Sequence, residues 1–138
     1  MLSDTAPTRL ADVIAGLQPE LDALFARYPD RRSTLMPILH MLQERFGHLS
    51  GPVLEEVAGL LDLDPTEVSS VASFYHLYFR EPVGRWVLLL CEDIPCSLAG
   101  AEEMIRHVEG RLGVPCGEIT EDGLFTAIRS PCLAACHR

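Results

Sequence analysis

Four of the five cysteines in this 138-residue chain fall in two short stretches: Cys91-Glu92-Asp93-Ile94-Pro95-Cys96 and Cys132-Leu133-Ala134-Ala135-Cys136. Each stretch follows an apolar, strand-like run, Trp86-Val87-Leu88-Leu89-Leu90 before the first and Leu124-Phe125-Thr126-Ala127-Ile128 before the second. Neighbouring parallel strands end on the same side of a sheet, so two such runs laid side by side deliver both thiol pairs to one place. That convergence is the pattern of a metal centre, and it dictates how this part of the chain folds.

Spacing ranks the metals. Structural zinc takes its cysteines from knuckles with two to four intervening residues, often with histidine, and the C-x4-C pair lies at the loose end of that range. A dithiol oxidoreductase wants C-x-x-C at a helix N-terminus, which is absent. Plant-type and bacterial two-cluster ferredoxins use other spacings, and a Rieske centre needs two histidines where only His137 is at hand. A binuclear iron-sulfur cluster held by two separated thiolate pairs fits best. Zinc comes second, and a chance group of buried or disulfide-bonded cysteines third.

The running text around the cysteines resembles a known family. The C-x4-C pair, a gap of thirty-five residues and the C-x3-C pair look like the thioredoxin-like [2Fe-2S] subunit of NADH-oxidising complexes. That family includes the small flavin-side subunit (24 kDa type) of respiratory complex I and relatives in NAD-dependent formate dehydrogenases and NAD-linked hydrogenases. Leu35-Met36-Pro37-Ile38-Leu39-His40, Val71-Ala72-Ser73-Phe74-Tyr75, Pro82-Val83-Gly84, Ala99-Gly100-Ala101-Glu102-Glu103 and Asp122-Gly123-Leu124-Phe125 carry the resemblance over roughly residues 20 to 136. It implies an electron-transfer subunit with one [2Fe-2S] cluster on Cys91, Cys96, Cys132 and Cys136. It also implies a flavoprotein partner that binds FMN and NADH, alongside further subunits of a redox complex. The formate dehydrogenase or hydrogenase gamma-type subunit is the alternative within the family, and a zinc-stabilised interaction module or a thiol redox sensor the alternatives outside it.

Composition removes other classes. A net charge of −9, from 11 Lys and Arg against 20 Asp and Glu, makes approach to a phosphate polyanion unfavourable, so nucleic acid is not an expected partner. No run approaches the roughly 18 apolar residues needed to span a bilayer. The first twenty residues lack a basic region followed by an apolar one, so no export is expected. Five cysteines without an export signal suit a reducing compartment, and the expected location is the cytoplasm, at the inner membrane's cytoplasmic face through the complex.

The fold class expected is α+β: a small N-terminal helical bundle, then an incomplete thioredoxin-like α/β domain. Residues 1–16 read as a loose leader with weak periodicity in Leu10, Val13, Ile14 and Leu17, residues 17–80 as the bundle and 81–138 as the cluster domain. Within the bundle, Leu21, Leu24, Phe25 and Tyr28 form one helical face ending at Pro29-Asp30. A second helix over about 33–46 ends at Gly47, with Pro37 in its first turn. A third begins at Ser50-Gly51-Pro52, and a fourth at Asp64-Pro65-Thr66-Glu67, a cap, a proline and a capping-box glutamate. Glu81-Pro82-Val83-Gly84 punctuates the halves. Beyond it come strand, ligand loop, a helix capped by Ser97 with Leu98, Ala101, Ile105, Val108 and Leu112 inward, a turn at Glu121-Asp122-Gly123, and a second, parallel strand. The family continues past its last cysteine with a strand pair and a closing helix, whereas this sequence stops at Cys136-His137-Arg138. A truncated domain, or a sheet edge completed by another chain, is the expectation.

The remaining candidates have plainer roles. Cys116 reads as a spare thiol beside a turn, and His137 as an exposed terminal residue. His40, His48, His76 and His107 lack ligand spacing. Phe74, Tyr75 and Trp86 sit at helix and strand spacing and read as packing rather than as an electron path. No dinucleotide fingerprint, P-loop or nucleophile-base pair is present, so any NADH chemistry belongs to a partner.

Overall fold

A computed structural model describes residues 10–136. The chain divides into two compact units, with the boundary between Arg80 and Glu81. Residues 1–9 of the expected leader and His137 lie outside the described residues.

In the first unit the expectation of a loose leader is corrected over residues 10–16. They form helix α1 (Leu10–Gly16), and Ile14 is only 9% exposed, within the core cluster. The weak i, i+3, i+4 stripe is enough because α2 (Gln18–Phe25) packs beside it, and a short helix needs only a neighbour to cover its apolar side. Helix α2 buries Leu21 and stops at Phe25, so Tyr28 falls beyond the helix and stays exposed.

A 3-10 turn (Arg31–Thr34) follows, capped by Asp30, whose carboxylate accepts from the Arg32 N–H at 2.9 Å. Helix α3 (Leu35–Phe46) has Pro37 as its third residue, inside the first turn where a missing N–H costs least. It ends at Gly47 with φ 81, whose N–H bonds the Gln43 carbonyl at 2.7 Å. Helix α4 (Gly51–Leu61) starts at Gly51-Pro52. Helix α5 (Pro65–Phe74) starts behind Asp64, which accepts from the Thr66 N–H at 2.7 Å. Glu67 pairs with Arg32 rather than closing a capping box.

Helices α3, α4 and α5 pack on one another around Ile38, Leu39, Leu42, Leu49, Val57 and Val68, each at most 2% exposed. The segment after α5 is pinned back onto α3. The Gln43 side-chain amide donates to the Leu77 carbonyl at 2.8 Å and accepts from the Phe79 N–H at 2.6 Å, and the Tyr78 hydroxyl donates to the Met36 carbonyl at 3.1 Å. Phe74, the last residue of α5, is 80% exposed, which corrects its assignment to packing: the turn that would have covered it does not continue the helix.

The second unit is β1 (Trp86–Cys91), α6 (Ile94–Leu98), α7 (Ala101–Leu112) and β2 (Phe125–Ser130). The strands pair in parallel, Trp86 with Phe125 through Cys91 with Ser130, and form an α+β, thioredoxin-like arrangement. Ile105 of α7 and Ala127 of β2 are each 1% exposed and centre the small core. Two expectations fail. Ser97 caps nothing: α6 is capped by Asp93, which accepts from the Ile94 N–H at 2.8 Å, and α7 starts at Gly100 with φ 99. Because the helical phase resets at Gly100, Leu98 is out of register with Ile105 and is 86% exposed. Trp86 is also half exposed, so it is not core packing.

Gly84 shows why the Pro82-Val83-Gly84 stretch has its composition. A Cβ at this buried position would lie 2.6, 2.8 and 2.9 Å from the backbone carbon, nitrogen and Cα of Phe125. Only glycine lets the chain run this close to β2 and donate its N–H to the Thr126 hydroxyl at 2.8 Å. No described helix is long and apolar enough to cross a membrane.

Candidate metal centre

The parallel register places Cys91 and Ser130 opposite one another at the C-terminal ends of β1 and β2. Each strand then leads straight into a cysteine loop. The ladder runs one step further, with the Glu92 N–H on the Ser130 carbonyl at 3.0 Å, so the two loops leave the sheet side by side.

In the first loop Asp93 caps α6, and Pro95 sits in the first turn. This places Cys96 as the third residue of the five-residue helix. The Ser97 hydroxyl donates to the Glu92 carbonyl at 2.9 Å, folding α6 back towards the strand end. The signal for this cap was present in the sequence, since Asp93-Ile94-Pro95 carries the same acceptor and early proline as Asp64-Pro65. In the second loop Ala134 takes a left-handed conformation, φ 51. Its N–H points at the Cys132 sulfur at 3.4 Å.

The Asp93 backbone N–H, the Cys96 thiol and the Leu133 backbone N–H, acting on its charge, hold the Cys91 thiol below its usual pKa. Cys96, whose proton is shared with Cys91, is pushed up to about 11 by that hydrogen bond, by burial and by the nearby charges of Cys91 and Cys136. Cys91 and Cys96 are partly buried, Cys132 and Cys136 exposed. Among the described residues no three His, Cys, Asp or Glu side chains converge on a point that one ion would fill.

Arg129 braces the outside of the site. Its guanidinium bonds Glu92 at 3.2 Å and Glu102 at 3.0 Å, joining the end of β2, the first loop and the first turn of α7. Arg129 holds the Glu102 carboxyl below its usual range. These are exposed contacts and position more than they stabilise. On the other flank a shallow hollow of about 340 Å³ opens beside Cys91 and Cys96, walled by Leu89, Ala99, Ala101, Met104 and Ile105.

Cys116 stands apart. Its N–H bonds the Glu109 carboxylate at 2.9 Å, and burial with the neighbouring carboxylate pushes its thiol above the usual value. The hydroxyl of Ser130 is buried in the site beside Cys91 and has no hydrogen-bond partner. Sequence reasoning missed it, because a serine in a strand carries no signal until the register is known.

The chain is similar to known proteins. Residues 21–138 match the family of thioredoxin-like [2Fe-2S] ferredoxins. The chain is 48% identical over 121 residues to the second E-type subunit of the NADH-quinone oxidoreductase of Rhizobium meliloti, covering 88% of this chain and 72% of the relative. It is 42% identical over 122 residues to NADH-quinone oxidoreductase subunit 2 of Thermus thermophilus, covering 87% and 67%. For the E-type NADH-quinone oxidoreductase subunit of Mycobacterium tuberculosis the identity is 38% over 125 residues, and the chain spans half the length of that relative. Among solved structures, an NAD+-reducing [NiFe]-hydrogenase in the H2-reduced state shares the fold, with TM-score 0.54 and 24% identity over 72% of this chain and 16% of that one.

The donor chemistry suits the cofactor these matches imply. Each iron of a binuclear cluster takes two thiolates and shares inorganic sulfide with the other, so the site must offer thiols in adjoining pairs rather than three or four ligands around one ion. Cys91 and Cys96 flank the loop after β1, and Cys132 and Cys136 lie in the loop after β2, at the same end of the sheet. The chain belongs to the thioredoxin-like [2Fe-2S] ferredoxin family, and its cofactor is a [2Fe-2S] cluster.

Proposed function

We propose that the chain is an electron-transfer subunit of an NADH:quinone oxidoreductase (complex I)-type complex. In this reading one [2Fe-2S] cluster is held by Cys91, Cys96, Cys132 and Cys136 within residues 81–138, and the helical unit from α1 to Arg80 helps dock the subunit. The partner is a flavoprotein that binds FMN and NADH, and the complex sits at the cytoplasmic face of a membrane. The observation that carries the reading is the parallel register that ends β1 and β2 together, Cys91 opposite Ser130, so that both cysteine loops leave the same end of the sheet.

When bound, the cluster supplies a one-electron centre between a two-electron flavin and the rest of the chain of carriers. The protein's own contribution is threefold. Thiolates compensate the iron charge, and backbone N–H groups of Asp93 and Leu133 soften the charge on Cys91. The strand ends fix the two loops at a constant separation, which keeps the site from reorganising between oxidation states. The hollow beside Cys96 gives one flank an apolar wall.

Anaerobic reconstitution with iron and sulfide tests this. Wild-type protein is expected to bind two irons per chain, following the two-iron core, and to give a binuclear EPR signal on reduction. Cys132→Ser is expected to lose the cluster, while Cys116→Ser retains it. Zinc without inorganic sulfide in the purified protein, or cluster retention in Cys132→Ser, would overturn the assignment.

A further inference from the structure

Ser130 is the last residue of β2 and the register partner of Cys91. Partners in a parallel ladder send their side chains to the same face of the sheet, on strands about 4.8 Å apart. The Ser130 hydroxyl therefore stands beside the Cys91 side chain. The residue is 0% exposed, and its Oγ is the buried side-chain polar atom among the described residues that finds no hydrogen-bond partner. An orphaned hydroxyl costs free energy comparable to a lost hydrogen bond. Thr126, an even number of residues earlier and so on the same face, shows the ordinary solution: its Oγ accepts from the Gly84 N–H at 2.8 Å.

The surroundings exclude the ordinary solution at Ser130. Its backbone carbonyl is used by Glu92, and the next residue, Pro131, has no N–H to offer. Arg129 is a donor, not an acceptor, and its guanidinium is turned to Glu92 and Glu102. No described residue, sulfur included, accepts the hydroxyl proton, so its acceptor would be a group bound at the Cys91 end of the sheet.

We propose that the Ser130 hydroxyl is a positioning and potential-setting residue, donating a hydrogen bond to a sulfur on the Cys91 side of the bound [2Fe-2S] cluster. This rests on the assignment of Cys91 as a cluster ligand. A hydrogen bond to cluster sulfur stabilises the reduced, more negative state and raises the reduction potential. The wild-type centre is therefore expected to accept an electron more readily than one lacking this donor.

The test is an EPR-monitored redox titration of the reconstituted full chain, with Ser130→Ala, and with Ser130→Thr and Ser130→Val as an isosteric pair that differs only in the donor. Ser130→Ala and Ser130→Val are expected to be harder to reduce by about tenfold in the one-electron equilibrium, equivalent to about 59 mV, while Ser130→Thr stays near wild type. If Ser130→Ala fails to hold a cluster, the Thr against Val comparison decides. Equal potentials in Thr and Val variants, both with full iron content, overturn the role of Ser130. Failure of the wild-type chain to take up a cluster at all would instead overturn the ligand assignment.

Discussion

Replacing Gly84 by alanine puts a methyl group 2.6 Å from the Phe125 carbonyl carbon and within 2.9 Å of that residue's nitrogen and Cα. Carbon atoms pack comfortably at about 3.5–4.0 Å, so the new Cβ must retreat by about 1 Å. The obstacle cannot give way. Phe125 is backbone at the start of β2, locked on its far side by hydrogen bonds from the Thr120 N–H to its carbonyl at 2.9 Å and from its own N–H to the Thr120 hydroxyl at 2.9 Å. The Gly84 segment must move instead, which stretches its buried bond to Thr126 beyond hydrogen-bond length. Overpacking contributes about 1–3 kcal/mol and the lost bond about 1 kcal/mol, so Gly84→Ala should cost about 2–4 kcal/mol. Trp86 is the chain's single tryptophan and lies two residues away, with the Arg85 guanidinium 5.7 Å from its ring. Its fluorescence therefore reports this unit in a urea titration. A midpoint lowered by roughly 1 M or more is expected. A midpoint within about 0.2 M of wild type would show that the close approach is not the reason for glycine here.

Two further outcomes are expected. Ala134 occupies a left-handed conformation that costs about 1–2 kcal/mol for a residue with a Cβ, against about 0.5–1 kcal/mol of extra chain entropy for glycine. Ala134→Gly should therefore gain up to about 1 kcal/mol and release iron to a chelator more slowly; a loss of stability would refute the loop geometry. Hydrogen bonds from the Thr66 hydroxyl and N–H hold the Asp64 carboxyl below its usual value of 3.8. A depressed folded-state pKa stabilises the fold fully above the unfolded value, and that contribution is lost as pH falls through the folded one. The fall in urea midpoint between about pH 6 and pH 3 should therefore be smaller in Asp64→Asn, which keeps a cap but not the titration; an equal fall would sink the argument.

Much of the fold was legible because local chemistry and tertiary structure agree. Asp64-Pro65 starts α5, Gly47 ends α3, and Pro37 falls in a first turn. The change from helical to strand patterning after Pro82-Val83-Gly84 precedes β1, and the strands pair in parallel. The errors have physical causes. Leu10 to Gly16 looked too weakly patterned for a helix, but α2 supplies the covering surface. Leu98 looked like part of α7 because the spacing is right, and only the left-handed Gly100 breaks the phase.

By itself the sequence determined the kind of centre: two thiol pairs, each behind a strand, have few chemical uses, and the surrounding text narrowed them to one family. Tertiary structure decided what the pairs meet. The strand register set Ser130 opposite Cys91 and ended both strands at one side of the sheet, and the approach of residue 84 to β2 required a glycine. These are relations between residues about 40 positions apart in the chain, and local patterning spans only a few. Such relations come into being only when the backbone closes on itself.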